Sequence, residues 1–147
     1  MLRFRVDGCG ALVVPDFKGL GRGENLWKTT CFELFLNDGE GAYREFNFSP
    51  SQQWAAYRFA GYRGPRQDID PVTAPEIQSE RGLSIFTLTV FLSALELQGA
   101  RSAALSAVIE EEGGRRPSYW ALAHGGPGPD FHDPACFRIP LASAEAV

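Results

Sequence analysis

The chain has 147 residues, a net charge of −4 and 14 Lys and Arg scattered along its length. One domain is expected over residues 1–147, and no basic stripe offers itself to a phosphate backbone, which argues against nucleic acid as a partner. Eleven Phe, 16 Gly and 10 Pro, with Val, Ile and Thr in short alternating runs, predict an all-β domain with many turns.

Leu2, Phe4 and Val6 alternate with Arg3 and Arg5, which predicts an opening hairpin or one interrupted edge strand. No apolar run has the length of a signal-peptide core or a membrane span, so a cytoplasmic protein is expected. Residues 15–26, PDFKGLGRGENL, read as a surface loop, because their glycines neither follow a buried strand nor open a helix. Cys9, Cys31 and Cys136 lack metal-site spacing and are odd in number, so reduced, buried thiols are expected.

The organising stretch is Leu26 to Arg63, LWKTTCFELFLNDGEGAYREFNFSPSQQWAAYRFAGYR. Two turn signals, Asn37-Asp38-Gly39 with Gly41 and Ser49-Pro50-Ser51, divide three alternating runs and predict an antiparallel meander. Alternation puts Cys31, Glu33 and Phe35 on one face of the first strand, and Tyr43, Glu45 and Asn47 together on the second. Glu33, Glu45, Asn47 and Arg58, flanked by Trp27 and Trp54, are therefore candidate ligand-binding residues, since hydrogen-bonding groups beside aromatics suit a hydroxyl-rich molecule. The competing reading is a cross-strand ion-pair ladder of Glu33, Glu45 and Arg58 on a solvated face.

Residues 64–82 predict a long connection with one short strand near 69–73. Leu83 to Leu92, LSIFTLTVFL, carries the strongest strand signal, and residues 93–99 predict a helical turn or tight loop. Ser102 to Glu111 reads as a central strand, Glu112-Gly113-Gly114 as a hairpin turn, and Ser118 to His124 as its partner strand. A GGPGPD loop and a closing edge strand over 136–141 follow. Short strands with no helix long enough for a βαβ unit predict an antiparallel β-sandwich of jelly-roll or immunoglobulin-like type.

Trp27 to Leu36, followed by Tyr43-Arg44-Glu45-Phe46-Asn47-Phe48-Ser49-Pro50-Ser51, resembles the core of the DOMON-like superfamily, in the branch containing family 9 carbohydrate-binding modules. Trp54-Ala55-Ala56-Tyr57 and Tyr119-Trp120-Ala121-Leu122-Ala123-His124 extend the likeness to small stand-alone bacterial DOMON-like proteins. The resemblance implies a jelly-roll-like sandwich that holds a sugar or sugar-like small molecule without catalysis. It casts Trp27 as the Trp ahead of the acidic strand, Glu33 as the acidic hydrogen-bonder and Trp120 as the second stacking Trp. Asn47 and Arg58 come from strand facing alone, and His124 closes the late matching run.

Other DOMON-like domains bind haem through Met and His, and here the only Met is Met1, so that ligation is not expected. No cofactor is expected. Asp130, His132 and Asp133, with His124, are the densest cluster of metal-type ligands and could also assist proton transfer; calcium at Asp130 or Asp133 is the cation reading, and hydrogen-bonded scaffolding is the competing one. Two further readings compete with sugar binding. Trp27, Trp54 and Trp120 could anchor a protein partner, and Glu33 with Glu45, if about 5 Å apart on adjacent strands, could serve glycoside chemistry.

Overall fold

The computed structural model describes residues 1–142, and it is an all-β sandwich of two unequal sheets. The smaller sheet has the order β1 (Leu2–Asp7), β8 (Ile85–Phe91), β7 (Glu76–Arg81). The larger is built on the meander β3 (Cys31–Gly39), β4 (Ala42–Phe48), β5 (Gln53–Phe59) and runs β10-β9-β3-β4-β5-β2. Here β9 is Ser102–Ile109, β10 is Ser118–Ala121 and β2 is Gly21–Arg22, while β6 (Arg66–Asp68) extends β5 and β11 (Ile139–Pro140) pairs with β9. The pairing is antiparallel except for β2, which lies parallel to β5. Among the described residues no helix is long and apolar enough to cross a membrane.

The meander forms as its alternation predicts, but its first turn lies later than Asn37-Asp38-Gly39. Strand β3 continues to Gly39, and Gly39 (φ 91°), Glu40 (φ 54°) and Gly41 (φ 82°) make the reversal. A run of left-handed residues is cheap only where glycine supplies most of it. Strand β1 is an edge strand, yet its partner is the distant β8 rather than the next segment. Cys9–Ala11 forms a 3-10 turn in place of a hairpin. The connection 64–82 holds two strands, β6 and β7, on either side of the expected 69–73, and β10 is shorter than Ser118 to His124.

Phe32, Leu34, Phe46 and Phe48 on one face of the large sheet pack against Phe86, Leu88 and Val90 of β8, and this is the main core. Phe32 sits between Phe4 (centroids 5.0 Å apart) and Phe86 (6.2 Å). At the end of this core Arg44 is buried and held by both carboxylate oxygens of Asp38 (2.8 Å each) and by Glu96 (3.2 Å). A buried guanidinium left without such partners would be strongly destabilising. The three thiols, at Cys9, Cys31 and Cys136, are buried and unpaired, as expected from their spacing.

The outer face of the same sheet is buried as well. Phe35, Tyr43, Tyr57, Phe59 and Val108 form a second apolar cluster, covered by Leu26 from the 3-10 turn Leu26–Lys28 and by Phe131 and Cys136 from the segment before β11. Loops rather than a sheet cover this face, and they leave a hollow.

Candidate functional site

Strands β3 and β4 build the floor of that hollow. Their register pairs Glu33 with Asn47 and Phe35 with Glu45, so Glu33 and Glu45 share the outer face as diagonal neighbours. Diagonal neighbours lie roughly 7–8 Å apart, with Cβ atoms somewhat closer, so the two carboxyl groups are near enough to act on one another. Above the floor is an open cavity of about 510 Å³, walled by Trp27, Tyr119, Phe131 and His132, with Arg63 and Arg66 reaching it from the β5–β6 side. Trp27 and Tyr119 are each 44% exposed, so both rings present accessible faces.

Glu33 is 2% exposed, and its one hydrogen bond is accepted from the Ser106 hydroxyl at 3.0 Å. Burial, and then the neighbouring Glu45 charge, push its pKa up to about 8 against the opposing Ser106 bond. Glu45 is 7% exposed, and burial raises it to about 7, with the Asn47 amide, Arg66 and Arg63 pulling the other way. The Asn47 amide lies close enough to act on Glu45, yet neither its nitrogen nor its oxygen makes a hydrogen bond of good geometry. Near neutral pH the pair is therefore partly protonated, presenting hydroxyl donors as well as acceptors.

His132 closes one side of the floor. Its ring stands edge-on to Phe35 (5.2 Å) and Phe59 (5.1 Å), and burial, then Arg63, lower its pKa to about 4 while Asp130 opposes them. The ring is thus neutral at pH 7. The Tyr43 hydroxyl accepts the Arg63 backbone N–H (3.2 Å) and lies 2.7 Å from His132 Nδ1. With Nδ1 accepting the Tyr43 proton, the remaining N–H is at Nε2, which faces Glu45 Oε2 at 3.8 Å. That contact joins a dipole to a carboxyl group; it is no ion pair.

The segment carrying His132 is pinned by its own polar groups. Asp130 accepts from Tyr62, from Arg63 (2.7 Å) and from the His132 backbone N–H (3.1 Å), while Asp133 accepts from Ala135 N–H at 2.8 Å. Gly125 passes so close that a Cβ there would lie 2.1 Å from the Asp133 carboxylate. Asp130, His132 and Asp133 are thus engaged separately. Among the described residues no three His, Cys, Asp or Glu side chains converge to hold a metal ion, and the hydrogen bonds of Asp130 and Asp133 match the scaffolding reading of this loop.

The structure brings together Trp27, Glu33 and Glu45, with Asn47 buried beside them. Trp54 and Arg58 require correction. Both lie on the other face of β5: Trp54 is 8% exposed in the main core with Arg22 stacked over its ring at 4.8 Å, and Arg58 pairs in register with Arg44. The ion-pair ladder of Glu33, Glu45 and Arg58 is excluded for the same reason, and the face it needed is not solvated. Trp120 is 64% exposed and points to the opposite side of β10 from Tyr119, into a separate hollow of about 400 Å³ beside Phe4 and Ile109. His124 is exposed in the loop after β10. Sequence reasoning missed Tyr119, Phe131, Arg63 and Arg66 as lining residues and read His132 as a metal ligand, proton-transfer group or scaffold, not as part of the ligand hollow. For Tyr119 a signal was present, since it alternates with the Trp that was chosen instead.

No protein-family model and no curated protein matches the chain. Among solved structures the fold is similar to that of a "putative carbohydrate-binding protein" from Bacteroides uniformis, with a TM-score of 0.63 and 15% sequence identity over 92% of this chain and 69% of that one. At that identity the likeness establishes a shared β-sandwich architecture.

Proposed function

We propose that this sandwich is a non-catalytic binding domain for a carbohydrate or sugar-like small molecule, seated in the hollow over the meander. In this reading it is a DOMON-like domain related to family 9 carbohydrate-binding modules. One observation carries the proposal: an open cavity of about 510 Å³ sets two accessible aromatic rings, Trp27 and Tyr119, over a floor of desolvated carboxyl groups. Axial C–H faces of a pyranose stack on such rings. Glu33, Glu45, His132 Nε2–H and Arg66 supply donors and acceptors for its hydroxyls. The naming of the Bacteroides uniformis neighbour as a "putative carbohydrate-binding protein" is in keeping with this. Each polar bond contributes about 0.5–3 kcal/mol net, so affinities in the micromolar to millimolar range are expected.

A thermal-shift screen of mono- and disaccharides tests the reading. Stabilisation by a sugar in wild type, clearly reduced at the same sugar concentration in Trp27→Ala, is the expected result; no response to any sugar would overturn it. The second reading, a protein-contact domain, is favoured by exposed Trp120 and Leu122 at the β10 edge. It predicts that Trp120→Ala, rather than Trp27→Ala, removes binding to a partner.

A further inference from the structure

The floor of the hollow has more acceptors than donors. Glu33 receives one hydrogen bond, from Ser106, and Glu45, although 7% exposed and lining the cavity, receives none among the described residues. Beside them the fully buried Asn47 leaves its amide oxygen and nitrogen unpartnered. A desolvated carboxyl group without a partner is costly, so Glu45, which lines the cavity, suits a ligand that brings hydrogens. Charge sharpens the point. The guanidiniums that reach the cavity act on Glu45, whereas around Glu33 the charged neighbour that matters is Glu45 itself. Arg63 is already taken by Asp130, and Arg66 lies over the Tyr57 ring at 4.2 Å. The inner end of the hollow, at Glu33, thus holds two neighbouring carboxyl groups that share protons, and among the described residues no cation is bonded to Glu33.

We propose that the hollow selects a sugar bearing a protonated amine, a hexosamine in preference to the neutral hexose, with the ammonium group seated between Glu33 and Glu45. This rests on the carbohydrate reading and names the ligand class within it. An ammonium group has three donors and no acceptor, which suits the carboxyl oxygens of Glu33 and Glu45. Its charge also lets both carboxyls ionise side by side. An N-acetyl group would carry neither the charge nor the three donors. Because the carboxyls are held partly protonated in the free protein, seating a cation there must drive a proton off, whereas a neutral sugar leaves the proton in place.

Isothermal titration calorimetry at pH 6.5, where the sugar amine is protonated, tests this with glucosamine, N-acetylglucosamine and glucose, and with the matching galactose set. In at least one set the amine should bind tenfold or more tightly than its neutral partners. Its heat should change with the ionisation enthalpy of the buffer, reporting proton release. Glu33→Gln, checked for native circular dichroism, should lose the amine preference, its affinity for the amine falling to or below that for the neutral hexose. Equal affinity within both sets, buffer-independent heat, or an amine preference that survives in Glu33→Gln would overturn the inference and leave the carbohydrate reading standing. No binding by any of the six, together with no response in the wider sugar screen, would overturn both.

Discussion

The two faces of the large sheet are both buried, but by different means. On one, Phe32, Leu34, Phe46 and Phe48 meet the aliphatic and aromatic side chains of a second sheet, and the interior is dry apart from the Arg44 cluster at its end. On the other, the cover is a 3-10 turn and a loop, which seal Phe35 and Tyr43 but leave Glu33 and Glu45 under an open hollow. A sheet laid on a sheet maximises apolar contact; a loop laid on a sheet can stop short and leave polar groups desolvated but reachable. Stability should therefore be concentrated on the first face and binding on the second.

The sharpest way to break that division is Phe46→Ala. The ring is 0% exposed, and its loss should cost about 3–5 kcal/mol in denaturant unfolding. A cost below about 1 kcal/mol would mean that the dry face does not carry the fold.

The next effect is in pH. Glu33 and Glu45 have folded pKa values near 8 and 7, above their ordinary 4.5, so the folded state binds protons more tightly than the unfolded chain. Their contribution to stability is complete below about pH 4.5 and is lost as pH rises through 7 and 8. His132 runs the other way: with its folded value near 4 and an ordinary value of 6.5, its contribution is present above 6.5 and lost as pH falls towards 4. Between pH 6.5 and 8.5 the carboxyl effect stands alone, and urea unfolding should show a decline on the order of 2 kcal/mol. The double variant Glu33→Gln, Glu45→Gln should flatten it. A decline that persists in the double variant would assign it elsewhere.

Smaller still, Trp27→Ala should lower sugar affinity about tenfold, roughly 1.4 kcal/mol, while shifting unfolding by less than about 0.5 kcal/mol, because the ring is 44% exposed. Trp54→Ala should do the reverse, since that indole belongs to the dry face. Gly125→Ala should be the mildest change. The added methyl displaces the Asp133 carboxylate from Ala135 N–H, and loss of that bond should cost about 1 kcal/mol, visible as faster amide exchange over 130–137.

Much of this architecture was legible in the chain. Period-two alternation from Cys31 to Phe59 put Glu33, Glu45 and Asn47 on one face, and the register confirms that facing. The same rule, applied to β5, puts Trp54 and Arg58 in phase with Ala56 and so opposite Phe46, on the inner face. They were grouped with the carboxyls because a sheet with two apolar faces does not announce which one a Trp joins. At β10 one residue of phase decides between Tyr119 and Trp120, and a four-residue edge strand gives alternation too little length to choose. His132, Phe131, Arg63 and Arg66 arrive on connections whose path depends on tertiary contacts, such as the Tyr43 hydroxyl that ties Arg63 to His132. No local spacing encodes that meeting.

The most direct test of the hollow over the meander is an amide and indole NMR titration of wild-type protein with the sugar that stabilises it most. Shifts should concentrate at Trp27, Glu33, Glu45, Tyr119 and His132 and spare Phe4 and Trp120. Shifts centred on Trp120 and the 400 Å³ hollow beside it would contradict the account.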